Sequence, residues 1–138
     1  MKMKVIVLLV SLAGLLTMGH PLFAHHGDAA YNPTPLLLKG CVVTEYTWMN
    51  PHSLIKFDYK NDKGVVQHWT MEIGSTPSMA LLGWGRNTLK PGDVITAYVF
   101  QTRNGNFVGR TNKVILADGT VLGDRDESTP SRYGAEQK

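Results

Sequence analysis

Between Leu36 and Leu116 the chain runs through five short stretches of strand-like alternation, each broken by turn-forming residues. A period of two is the signature of a strand with one buried face, because successive side chains point to opposite sides. Val65–Ile73 is the most regular stretch. Trp69, Met71 and Ile73 share one face there, and His68, Thr70 and Glu72 share the other. Leu36–Trp48 is rich in Val, Thr, Tyr and Trp, the residues that suit a pleated, half-buried surface. In Ser53–Tyr59, Ile55, Phe57 and Tyr59 stand opposite Lys56 and Asp58. Val94–Thr102 and Phe107–Leu116 complete the set.

The punctuation is equally explicit. Asn50-Pro51 interrupts the first two strands, since proline cannot donate to a ladder. Lys60-Asn61-Asp62-Lys63-Gly64 is a polar hairpin turn, and Asn104-Gly105 is a second hairpin signal. Leu89-Lys90-Pro91-Gly92-Asp93 and Ala117-Asp118-Gly119-Thr120 are further turns. After the third strand, Thr76 reads as a helix N-cap with Pro77 at the first helical position, opening a short helix over Ser78–Leu82 that Gly83 and Gly85 stop. Three strands, a short helix and two strands is the order of the oligonucleotide/oligosaccharide-binding (OB) barrel. The expected fold is therefore mostly β, a small five-stranded open barrel, OB-fold-like, with one short helix between strands 3 and 4. A five- or six-stranded barrel or sandwich of other connectivity is the alternative.

Upstream of the barrel, Met1–Lys4 is a basic head, Val5–Met18 is an apolar run of 14 residues, and Leu22-Phe23-Ala24 is a small-residue stop. This is the layout of a secretory signal peptide over residues 1–24, and the run is short for a bilayer span, which needs about 20 residues. The expected organisation is then an extended segment over 25–35, carrying Asn32, Pro33 and Pro35, the barrel over 36–122 and a polar, disordered tail over 123–138. Processing would leave 114 residues, enough for one modest core. It would also remove Lys2 and Lys4, so the formal charge falls from +3 to +1. With no run of Lys and Arg, the chain lacks the concentrated basic face of a nucleic-acid binder. The expected location is periplasmic or secreted, with no transmembrane anchor in the mature chain.

Cys41 is the single cysteine, so no internal disulfide is available. Lys39, Pro33 and Pro35 lie between it and the apolar run and argue against a lipidated cysteine. It alternates within a strand pattern and reads as a buried, inert thiol.

Several segments jointly carry a family likeness: Ala24-His25-His26, Trp48-Met49-Asn50-Pro51-His52, Glu72-Ile73-Gly74-Ser75, Gly83-Trp84 and Leu89-Lys90-Pro91-Gly92-Asp93-Val94. On these residues the chain resembles an exported bacterial family of unknown function, domain-of-unknown-function family 6152, over roughly residues 24–122. Gly27 departs from the family pattern, which often has Ser or a similar small residue after the two histidines. The resemblance implies export and a small β-domain. It implies no activity.

Candidate chemistry rests on the histidines. Cleavage after Ala24 puts His25 at the amino terminus, where its α-amine and imidazole chelate one ion and His26 adds a second ring. Cleavage after Phe23 would make His26 the third residue, an arrangement that also chelates square-planar copper. A nitrogen-rich, thiolate-free site suits Cu(II), Ni(II) or Zn(II). The competing reading is a solvated leader with no selected metal role. His52, at the turn between the first two strands, is either a third ligand or a residue that bonds backbone groups to fix the Asn-Pro turn. His68 shares a face with Glu72, as a polar pair or an ordinary solvent-facing edge. Trp48, Trp69 and Trp84 invite a stacking-platform reading but fit the core better, and Trp84, between two glycines, is the one whose exposure matters most.

No Gly-x-Ser-x-Gly elbow and no phosphate loop is present, and the carboxylates are scattered. A non-enzymatic role is the better reading. The expected function is a binding module of the bacterial envelope with a copper site at His25, His26 and His52. The alternative is a metal-independent OB-like module that binds a protein or carbohydrate through its loop face. Neither the ligand or envelope partner nor the oligomeric state is named by the sequence.

Overall fold

A computed structural model describes residues 30–125. Six strands and one helix follow in order: β1 (Leu36–Thr47), β2 (Ser53–Lys60), β3 (Val66–Ile73), α1 (Thr76–Leu81), β4 (Val94–Gln101), β5 (Val108–Ile115) and β6 (Val121–Gly123). The sheet order is β3-β2-β1-β4-β5-β6, and β3 also pairs with β5. That last pairing returns the sheet to its own edge. The barrel is closed, which corrects the open barrel expected from the sequence, while its strand order and helix position are those of the OB fold.

Closure needs one parallel seam, Thr70 opposite Val108, Met71 opposite Gly109 and Glu72 opposite Arg110. All other pairings are antiparallel. The hydroxyl of Thr111, itself buried, donates to the Glu72 carbonyl at 2.9 Å and ties the seam from inside. β1 is long enough to serve both halves of the barrel, pairing with β4 along its first part and with β2 along its second. It bends where Gly40 takes φ 70° and the register with β4 slips between Leu38 and Cys41. A left-handed glycine is what such a bulge requires.

The core follows the alternation. Ile55 and Phe57 from β2, Trp69, Met71 and Ile73 from β3, and Ile95, Ala97 and Val99 from β4 point inward with Cys41, Val43 and Val114. Phe57 and Trp69 stack with ring planes 1° apart and centroids 6.2 Å apart, as their direct pairing across β2 and β3 dictates. The segment between β3 and β4 adds Met79, Trp84 and Leu89 to the same cluster. Trp84 is buried, its indole donating to the Gly123 carbonyl at 2.8 Å, and Trp48 is half-buried against the core.

Two local readings shift. The helix begins at Thr76 with Ser75 as its N-cap, one residue earlier than the Thr76 cap expected, and Pro77 falls within the first turn. β6, three residues long, was too short for a periodicity to announce it. No helix among the described residues is long and apolar enough to cross a membrane.

Candidate functional site

The turn joining β1 and β2 is held by side chains on both sides of it. The Ser53 hydroxyl, fully buried, accepts from the Met49 amide at 3.2 Å and donates to the Met49 carbonyl at 3.1 Å. The Asn50 side-chain carbonyl accepts from both the amide and the hydroxyl of Thr76, each at 2.9 Å, fastening the turn to the start of α1. The Asn50–Pro51 peptide is cis. Asn50 and Ser53 thus hold the turn, a task the sequence reading offered to His52.

His52 instead faces β3. Its Nδ1 lies 3.0 Å from Glu72 Oε1, on a side chain 53% exposed. An ionised carboxylate only accepts, so Nδ1 carries the hydrogen in this pair and Nε2 is the ring's remaining donor atom. A carboxylate that fixes the tautomer and orientation of an imidazole is the usual outer partner of a metal-binding histidine. His68 does not pair with Glu72. It lies directly across from Asp58 on β2, with Nδ1 2.6 Å from Oδ1, and its side chain is 81% exposed. Glu45 and Lys56, on adjacent strands β1 and β2, make a third pair at 2.8 Å. The Lys56 ammonium, hydrogen-bonded to it, lowers the Glu45 carboxyl from its ordinary range. The outer face of β1, β2 and β3 therefore carries three such carboxylate pairs.

Glu72 sits at the barrel seam beside Arg110, and the start of the described chain packs against the same place. The Arg110 guanidinium lies 5.8 Å from the centre of the Tyr31 ring. Tyr31 is held by an isolated bridge to Thr102, and its carbonyl accepts from Arg103 Nε at 3.0 Å. The Asn32 amide donates to the Gln101 carbonyl at 2.8 Å, and the Arg103 amide to the Ala30 carbonyl at 3.0 Å. Burial, and then the Glu72 charge, push the Tyr31 phenol up. Asp124 joins from beyond β6: burial raises its carboxyl, while Arg110, Arg125 and the Gly74 amide work in the other direction. The seam thus gathers Tyr31, His52, Glu72, Arg110 and Asp124 from five separate stretches of chain. No sequence spacing foretold this, because the seam is a contact between distant strands.

Of the proposed ligands, His52 is placed as described, while His25 and His26 lie outside the described residues. Among the described residues no three His, Cys, Asp or Glu side chains converge as a ready-made metal cluster. Cys41 is fully buried, and burial pushes its thiol up to about 12. A separate cavity of about 220 Å³ lies between the approach to β4 and the turn after β5, with Asp93 and Asp118 in its lining. Asp93 already accepts from the amide and ammonium of Lys90, and Asp118 from the Thr120 amide.

No curated protein and no solved structure matches this chain. A family of unknown function matches residues 12–112, a span that takes in the β1–β2 turn, the seam and the helix. The chain belongs to that family, DUF6152.

Proposed function

We propose that this protein is an exported binding module of the bacterial envelope, periplasmic or secreted, that holds copper through His25, His26 and His52. The observation that carries the reading is the posture of His52, with Nδ1 occupied by Glu72 and the ring half exposed beside the seam where Tyr31 is anchored. Tyr31 and His52 flank the same Arg110–Glu72 pair. His26 precedes Tyr31 by five residues, and five extended residues reach about 17 Å. Cleavage after Ala24 frees the His25 amine, so amine, imidazole and a further ring offer three nitrogens, which suits the tetragonal preference of Cu(II).

The experiment is intact-mass analysis of the protein recovered from the periplasm with bound metal retained. It is followed by Cu(II) titration of that form and of one carrying an extra residue before His25. The expected mature chain starts at His25 without lipid, and the extension sharply weakens Cu(II) binding. Because protons compete with the metal for the ligand nitrogens, affinity falls as pH drops. Equal affinity in the two forms removes the amino terminus from the site. A second reading, a metal-independent module for a protein or carbohydrate, draws on the tilted Tyr46–Trp48 ring pair beside this turn. Under it, neither form retains copper against a competing amino acid.

A further inference from the structure

The β1–β2 ladder ends at the pair Thr47–Leu54. Beyond it the chain leaves the ladder, and Met49 and His52 flank the two-residue Asn50-Pro51 turn. Both are exposed, Met49 at 46%, while Trp48 packs on the core and Ser53 is fully buried. Three residues apart across so short a turn, a flexible thioether and an imidazole can reach one bound ion. The two bonds of the Ser53 hydroxyl to the Met49 backbone draw the ends of the turn together, and the Asn50–Thr76 bonds hold the tip.

Among the described residues the other sulfurs, on Cys41, Met71 and Met79, are buried. Met49 alone among them presents a thioether to solvent, three residues before a histidine whose second nitrogen is already engaged by a carboxylate. Thioether and imidazole together are a soft donor set, which selects monovalent copper over harder divalent ions.

We propose that Met49 Sδ and His52 Nε2 form a binding site for Cu(I) on the outer face of the β1–β2 turn. The site shares His52 with the copper reading above and rests on it for that residue. It does not need the amino-terminal amine. Oriented by Glu72, the imidazole supplies one donor and the thioether a second, and a further ligand completes the low coordination number that Cu(I) accepts.

The test is anaerobic competition for Cu(I) against a chromophoric chelator, using the protein purified from the periplasm, with Cu(II) titrated in parallel. Met49→Leu keeps the side-chain volume at an exposed position, and its melting temperature confirms that the fold is retained. The expected result is a loss of Cu(I) affinity of tenfold or more in Met49→Leu, with Cu(II) affinity changed less than threefold. The copper–sulfur scattering shell seen by X-ray absorption in the wild type is expected to vanish in the variant. His52→Gln weakens both oxidation states. Unchanged Cu(I) affinity in Met49→Leu, or a wild type without a copper–sulfur shell, overturns the proposal. The form extended before His25 separates the two ideas: it loses Cu(II) affinity if the amino-terminal chelate is real, whatever Met49 does.

Discussion

Gly109→Ala should force β5 away from β4. Gly109 is opposite Met71 in the parallel ladder and opposite Gln101 in β4, and it is β4 that closes on its Cα. A methyl group there would meet Val99 Cγ1 and stand 2.7 Å from the Phe100 carbonyl oxygen. The valine can turn, but a backbone carbonyl in a ladder cannot, so the strands must separate. Gly109 is not among the glycines with positive φ, which makes the penalty purely steric. Overpacking of this kind costs about 2 kcal/mol or more. For a domain of this size that is a fall of roughly 8–16 °C in melting temperature. Two other glycines calibrate it. At Gly74 the added methyl meets the Met79 Cε at 2.8 Å, the far end of a flexible side chain, so Gly74→Ala should cost about 1 kcal/mol. At Gly85 the nearest atom is 3.8 Å away, and Gly85→Ala should range from neutral to about 1 kcal/mol more stable. Urea denaturation of the three variants gives the order directly. If Gly109→Ala lies within about 0.5 kcal/mol of the wild type, the close approach is not what sets the spacing of β4 and β5.

Trp69→Ala removes the ring stacked between Phe57 and Phe107 and should cost roughly 3–5 kcal/mol by urea unfolding; a loss below about 1 kcal/mol would deny the core role of that face. Cys41 should resist alkylation at pH 8 in the folded protein and react fully in denaturant, and native labelling at the denatured rate would contradict its burial. Its thiol is raised from 9.0 to about 12 in the folded protein, so above pH 9 the unfolded chain loses the proton first. Stability should then fall with rising pH by up to about 1.4 kcal/mol per pH unit, with Tyr46, also raised to about 12, adding to the slope above 10. His68→Ala should leave copper binding unchanged, since His68 lies four residues along β3 from the Glu72 that His52 meets, and a loss matching that of His52→Gln would place the metal on the wrong strand.

Five of the six strands, the turns and the buried faces of the second and third strands were legible in the sequence, because those depend on local spacing. Trp69, Met71 and Ile73 are buried as their alternation requires, and Cys41 is buried as its place in the first strand implies. The histidines were legible as candidate ligands, but their partners were not. His68 shares a face with Glu72, yet cross-strand register gives it Asp58, and Glu72 goes to His52 from the neighbouring turn. That the barrel closes is settled in three dimensions. Closure rests on three parallel pairs between strands far apart in sequence. The same long-range geometry brings Tyr31 onto Arg110 and His52 onto Glu72. A period of two fixes which way a side chain points. What it meets there depends on how the strands are staggered, and that is settled when the sheet closes on itself.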